Sequence, residues 1–307
     1  MSDILEPFTS DEFLQGLAYG GAALAAGLIL ALAWRRWRRT PAHLVGALLV
    51  GAAYMAMPTA RETPDALWQG IAMLATAGFL FPWARKAPLL PAILAIPGAW
   101  WITRVIDLPV DGWPNWVLFA MIVIGAPLVA SFDLEHTRRG FGPVFLALTV
   151  AGAYATLPDT EEILVLFGVA IPLVFIAWPR PLASLGAWGA YPAVGLLAWV
   201  IAWGGRGRET AIIGAAAGLG LLVAEPAARW ISSRSVTLLD RLPAGTGGPV
   251  LAGLAQFVVV AVTARVAGLQ SSAIVAGVIG ALTLAGAVVV LAAMNHGRER
   301  RRARQRG

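Results

Sequence analysis

Ten charged residues near the ends of apolar runs are the positions where this sequence could do chemistry: Arg104, Asp107 and Asp111; Asp159, Glu161 and Glu162; Arg206, Arg208 and Glu209; and Arg265. Arginine offers a rigid fork of donors that suits phosphate or carboxylate. Carboxylates orient the polar parts of a ligand. Arg104 and Arg265 each lie a helical turn inside an apolar run, so converging turns would bring them against acids from their neighbours. The candidate binding set is therefore Arg104, Asp107, Glu161, Glu162, Glu209 and Arg265, taking an anionic group in an outward-facing cavity. The competing reading is structural, with the arginines paired to Asp107, Glu161 or Glu209 so that the turns are pinned together. Asp159 or Thr160 would also cap a helix beginning at 161, whose first turn favours Glu161 and Glu162 through the helix dipole.

Other chemistries find no foothold in the sequence. It has no Walker-type loop, no dinucleotide fingerprint and no G-x-S-x-G. With no cysteine there are no disulfides, thiolate ligands or thiol nucleophiles. His43, His136 and His296 have no partners at zinc-binding spacing. No catalytic residue, metal or cofactor is assigned.

The elements that must position the charged residues are apolar runs joined by short turns. The clearest turn is Tyr154-Ala-Thr-Leu-Pro158-Asp-Thr-Glu-Glu162, and Tyr154-x-x-x-Pro158 repeats Tyr54-x-x-x-Pro58. Leu108-Pro109 matches Leu157-Pro158, and Thr103-Arg104-Val105-x-x-Leu108 matches Ala264-Arg265-Val266-x-x-Leu269. These echoes suggest a parallel repeat of about 50 residues, one hairpin per unit.

Hydrophobic residues make up 58% of the 307 positions and charged residues 13%, about half the share of an ordinary soluble domain. Lipid is the solvent that such a composition requires. Apolar runs fall near 13–34, 43–58, 66–84, 89–106, 115–132, 143–157, 162–178, 185–203, 210–225, 248–268 and 271–294. The expected fold is an all-α integral membrane protein of about eleven transmembrane helices, one leading helix followed by five helical hairpins. Several runs are shorter than the roughly 20 residues of a perpendicular span.

Charge sets the expected orientation. Segments that this count places on one face hold 18 of 23 basic residues and 5 of 17 acids, net +13; the other face holds 5 bases and 12 acids, net −7. By the positive-inside rule the N-terminus is outside and the C-terminus in the cytoplasm. Residues 1–12 form an external acidic N-terminus, 13–294 a single polytopic transmembrane domain, and 295–307 a basic cytoplasmic tail. Within the domain, 226–247 reads as an amphipathic connector lying on the cytoplasmic leaflet. Trp34, Trp37, Trp83, Trp178, Trp203 and Trp230 sit near run ends, where indole rings anchor at the interface. Pro82, Pro97, Pro127, Pro172 and Pro192 should kink or end helices. Pairs such as Gly16-x-x-x-Gly20 and Gly214-x-x-x-Gly218 are expected by chance in a chain with 34 glycines.

The sequence is thus expected to be a multi-pass bacterial inner-membrane protein, not an enzyme, that transports or flips a small or lipid-linked anionic solute. A non-catalytic membrane scaffold is the alternative, and an integral-membrane transferase with an outward-facing site the second. Expected partners are the bilayer, with anionic lipid at the cytoplasmic face, and a membrane-protein partner. The basic balance belongs to topology, so no nucleic-acid partner is expected.

Overall fold

Ser10 begins the first helix. Its hydroxyl accepts the Phe13 N–H at 3.3 Å, and Asp11 and Glu12 follow in the first turn, where the dipole favours acids. The computed structural model describes residues 6–57, 63–87, 89–106, 108, 110, 112–136, 141–157, 161–218, 247–283, 285 and 286. The expected connector at 226–247 apart from Gly247, the basic tail and Asp107, Asp111, Asp159 and Thr160 therefore lie outside the described residues.

Helices account for 83% of the structure and no strand forms among the described residues, so the all-α class holds. After a short 3-10 turn, Glu6–Thr9, come α1 (Asp11–Trp37), α2 (Val45–Ala56), α3 (Asp65–Ala84), α4 (Leu90–Trp100), α5 (Trp113–His136) and α6 (Phe141–Tyr154). They are followed by α7 (Glu161–Ala177), α8 (Ala187–Gly204), α9 (Glu209–Gly218), α10 (Gly247–Gly268) and α11 (Ala273–Thr283). The expected count of eleven fits. Five stretches, Asp11–Trp37, Asp65–Ala84, Trp113–Ser131, Ala187–Gly204 and Gly248–Gly268, are long and apolar enough to cross a membrane. Others are short: α2 has 12 residues and reaches only about 18 Å.

The five prolines named above all lie inside helices and do not end them. Beyond Pro97, α4 continues as one π-helical turn, Trp101–Val105. A π turn widens the ladder to i→i+5 bonds, as in Ile106 N–H to the Trp101 carbonyl at 3.2 Å.

Packing departs from a row of sequential hairpins. The leading helix α1 lies along α7, α9 along α10, and α6 along both α7 and α10. α2 and α3 touch near their shared turn through Tyr54 and Trp68, whose rings are 5.0 Å apart, but each packs extensively against α8. α5 also packs on α8, which is buried along nearly its whole length. Trp199 and Tyr191 fill the space around α8, and the Tyr191 hydroxyl donates to the Pro91 carbonyl of α4 at 2.9 Å.

Between helices in lipid the hydrophobic drive is weak, so close van der Waals approach must hold them together. Glycine supplies that approach, and the small-residue pairs expected by chance are contact sites. A Cβ on Gly16 or Gly20 would strike the Val165 and Val169 backbone of α7, and one on Gly214 would strike Thr263 and Ala264 of α10. The tightest backbone-to-backbone approach among the described glycines is Gly46 of α2 on Gly189 of α8, each filling the other's Cβ position. We expect Gly46→Val to destabilise the detergent-solubilised protein by about 1–3 kcal/mol through overpacking. Gly51→Ala, with nothing within 4 Å of the new methyl, should be neutral or gain up to about 1 kcal/mol of helix propensity. Thermal unfolding midpoints of the two variants check this.

Candidate functional site

Helix registers show which side chains share a level of the bundle. Asp133 of α5 meets Gly186 at the start of α8, and a Cβ on Gly125 would lie 3.5 Å from Val194. Both pairs fit one antiparallel register. Carried to the other end, it sets Asn115 opposite Gly204, within about a turn of Trp203 and Trp199. Those three residues carry polar atoms that are buried without a hydrogen-bond partner among the described residues: Asn115 Oδ1, Trp199 Nε1 and Trp203 Nε1. The two indoles are adjacent, with centroids 6.0 Å apart.

Two arginines border this end. The π turn swings Arg104 over Trp116, next to Asn115, with its guanidinium carbon 4.1 Å from the ring centre and 5.9 Å from that of Trp100. Arg206 lies 5.4 Å from the centre of the Trp203 ring. A cation over an indole face gains about 0.5–1 kcal/mol at an exposed site. The arrangement offers one buried acceptor, two buried donors and two cations at the rim, which suits a small ligand carrying both an anionic group and hydrogen-bonding groups.

The sequence-expected set is distributed more widely. Arg104 is exposed and held by its two indoles; Arg265 is exposed on α10, which packs on α6 and α9 and not beside α4. Glu161 and Glu162 open α7, the first exposed and the second buried, and Glu209 is exposed in the first turn of α9. Asn115, Trp199 and Trp203 had no place in that set. The sequence inventory followed charges, and these groups are neutral. Trp100-x-x-x-Arg104 was the legible signal for the stacking, since residues four apart share a helix face.

The opposite end of α5 and α8 is built differently. Asp133 is 1% exposed and accepts the N–H groups of Gly186 at 2.8 Å and Leu185 at 3.4 Å, so it caps α8 from another helix. Gly186 has φ +73, and a Cβ there would collide with His43 and Trp188. The segment before α8 pairs with the segment before α2: Ser184 N–H donates to the Ala42 carbonyl at 2.8 Å, Ala42 N–H to Leu182 at 3.2 Å, and His43 Nδ1 lies 2.7 Å from Ser184 Oγ. Nothing around Asp133 in the sequence announces this role, because its partners are some 50 residues away.

No family model matches the chain, and no curated protein resembles it significantly. The class is set by its own structure: an all-α protein with several helices apolar enough to cross a membrane.

Asp133 lies two residues past Ser131, where its span ends, and burial raises its carboxyl from near 3.8 to about 6, with the two backbone N–H donors opposing the rise. Between those values the folded protein holds the proton more tightly than the unfolded chain. Asp133's contribution to stability is therefore complete below about 3.8 and lost as pH rises through about 6. We expect the unfolding midpoint to fall over this window in the wild type, and to fall less in Asp133→Asn. Asp133→Leu, which leaves two backbone donors without an acceptor, should cost about 1–3 kcal/mol at any pH.

Proposed function

We propose that the chain is a multi-pass bacterial inner-membrane protein that moves or flips a small or lipid-linked anionic solute, binding it at the outer end of α5 and α8. In this reading the helices cross the bilayer with the N-terminus outside and the C-terminus in the cytoplasm. The contacts support such an alternation. Residues it assigns to one side meet each other, as 42–46 do with 182–189 and Asp133 with Gly186. The exposed tryptophans at helix ends, Trp37, Trp83 and Trp113 among them, fit interfacial belts.

One observation carries the solute site: three buried polar atoms near the same end of α5 and α8, Asn115 Oδ1, Trp199 Nε1 and Trp203 Nε1, without a hydrogen-bond partner among the described residues. A buried polar group left unsatisfied costs about 1–3 kcal/mol. A ligand that supplied the missing partners would recover that cost on binding. Arg104 and Arg206 at the rim select for negative charge.

The scaffold reading draws support from the filled interior around α8, where Trp199 and Tyr191 occupy the centre. The two readings differ in what Asn115→Leu does. An isosteric apolar side chain removes an unsatisfied group, so the purified protein should unfold at the same temperature or higher. In proteoliposomes, however, flipping of a fluorescent anionic phospholipid should fall by up to about tenfold, the equivalent of one hydrogen bond. Arg104→Ala should lower it similarly. Wild-type protein that flips the lipid no faster than empty liposomes, together with unaltered growth of cells carrying either variant, would retire the transport reading in favour of a scaffold.

A further inference from the structure

A second cationic feature lies at the other end of the molecule. A groove of about 400 Å³ opens between the end of α1 and the segment after α7, lined by Arg35, Arg39, Thr40, Pro41, Pro181 and Leu182. Four arginines crowd this helix end, and they are not equivalent. Arg38 is turned back over the Trp34 ring at 5.6 Å. Arg35 and Arg39 line the groove, and neither has an ion-pair or hydrogen-bond partner among the described residues.

The floor of the groove is fixed from below. Just past Pro41 and Leu182, Ala42 and Ala183 form a parallel bridge, reinforced by the contact between His43 and Ser184. The groove walls therefore hold their spacing without a ligand, which lowers the ordering cost of binding. Arginine forks and a threonine hydroxyl are donors only toward an anion, and both match the non-bridging oxygens of a phosphodiester.

Depth identifies the source of that phosphate. From Phe13 to Trp34 the helix rises about 32 Å, the thickness of the hydrocarbon core, so Arg35 sits where headgroup phosphates begin. Trp34 and Trp37 are exposed on either side of Arg35, and Ile29 and Leu32, one or two turns deeper on α1, are open to acyl chains.

We infer that this groove is a binding site for the phosphate of an anionic glycerophospholipid of the cytoplasmic leaflet, with Arg35, Arg39 and Thr40 as its ligands. The inference rests on α1 being a span with its arginine end at the headgroups, and does not depend on transport.

The test uses the full-length protein in detergent, with phosphatidylglycerol and phosphatidylcholine in equal amounts, read by native mass spectrometry. The wild type should retain phosphatidylglycerol selectively, and Arg35→Gln/Arg39→Gln should reduce that selectivity about thirtyfold, as expected from losing two headgroup cations. Arg85→Gln/Lys86→Gln, which removes the same charge from the exposed end of α3, should leave it unchanged. An equal drop in both pairs would reduce the effect to diffuse charge and overturn the site. So would wild-type protein with no preference between the two lipids. Displacement of the lipid by excess inorganic phosphate would overturn the lipid assignment in favour of a free anion. A chain that stays monodisperse without detergent would instead sink the membrane reading itself, so the two failures are distinguishable.

Discussion

The first turn of α8 is where the rest of the bundle is anchored. Within residues 185–189, Asp133 of α5 caps the backbone, Gly46 of α2 lies against Gly189, and Gly78 of α3 lies against the Ala187 carbonyl and Trp188. The 40–44 segment pairs alongside at Ser184. Three helices and one connection are thus referenced to a single turn. In lipid this matters more than in water. Apolar faces gain little by meeting one another there, so positions are set by close backbone approach and by the few polar contacts. Changing residues 185–189 would shift several helices together, whereas a change on the lipid-exposed face of α1 would shift none.

How much of this was legible follows from what each feature depends on. The helices were legible because apolar runs and their turns are local properties of the chain, and all eleven expected runs contain a helix. Which helices pack together was not. The order of the runs suggested consecutive hairpins, but α1 found α7 and α3 found α8, because small-residue surfaces select partners by shape and not by sequence order. The glycine pairs that seemed too common to matter were the useful signal. Gly16 and Gly20 present one flat stripe on α1, and Gly168 on α7 meets it. Their frequency hid them, since a chain with 34 glycines contains many such pairs.

The charged residues illustrate a different limit. Arg104 was expected to seek a carboxylate or a ligand, but it lies over an indole, as Arg38 and Arg206 also do. The preference has a physical reason. Tryptophan gathers at the interface for its amphipathic ring, and an arginine three or four residues along the chain, or on the next helix, finds the π face within reach at low desolvation cost. Stacking of Arg104 over Trp116 also leaves its guanidinium N–H groups at the ring edge available to an anion. A stacked arginine is therefore oriented without being neutralised, which an ion pair with Glu161 or Glu209 would not achieve.

The two ends of the α5–α8 pair make the strongest case for where a ligand belongs. Both ends carry buried polar groups, and the same two helices supply them. At the Asp133 end the carboxylate has its backbone donors, the serine has its histidine, and the segments ahead of α2 and α8 complete each other's hydrogen bonds. At the Asn115 end, an amide oxygen and two indole N–H groups have no partner among the described residues. The groups around Asp133 are satisfied and these three are not, although a leucine and two phenylalanines would fill similar space. Satisfied polar groups fix structure, and unsatisfied ones pre-organised in a rigid frame are what a binding site requires. In the proposed site Arg104 and Arg206 would supply the charge preference, and the turn at 185–189 holds α5 and α8 in register.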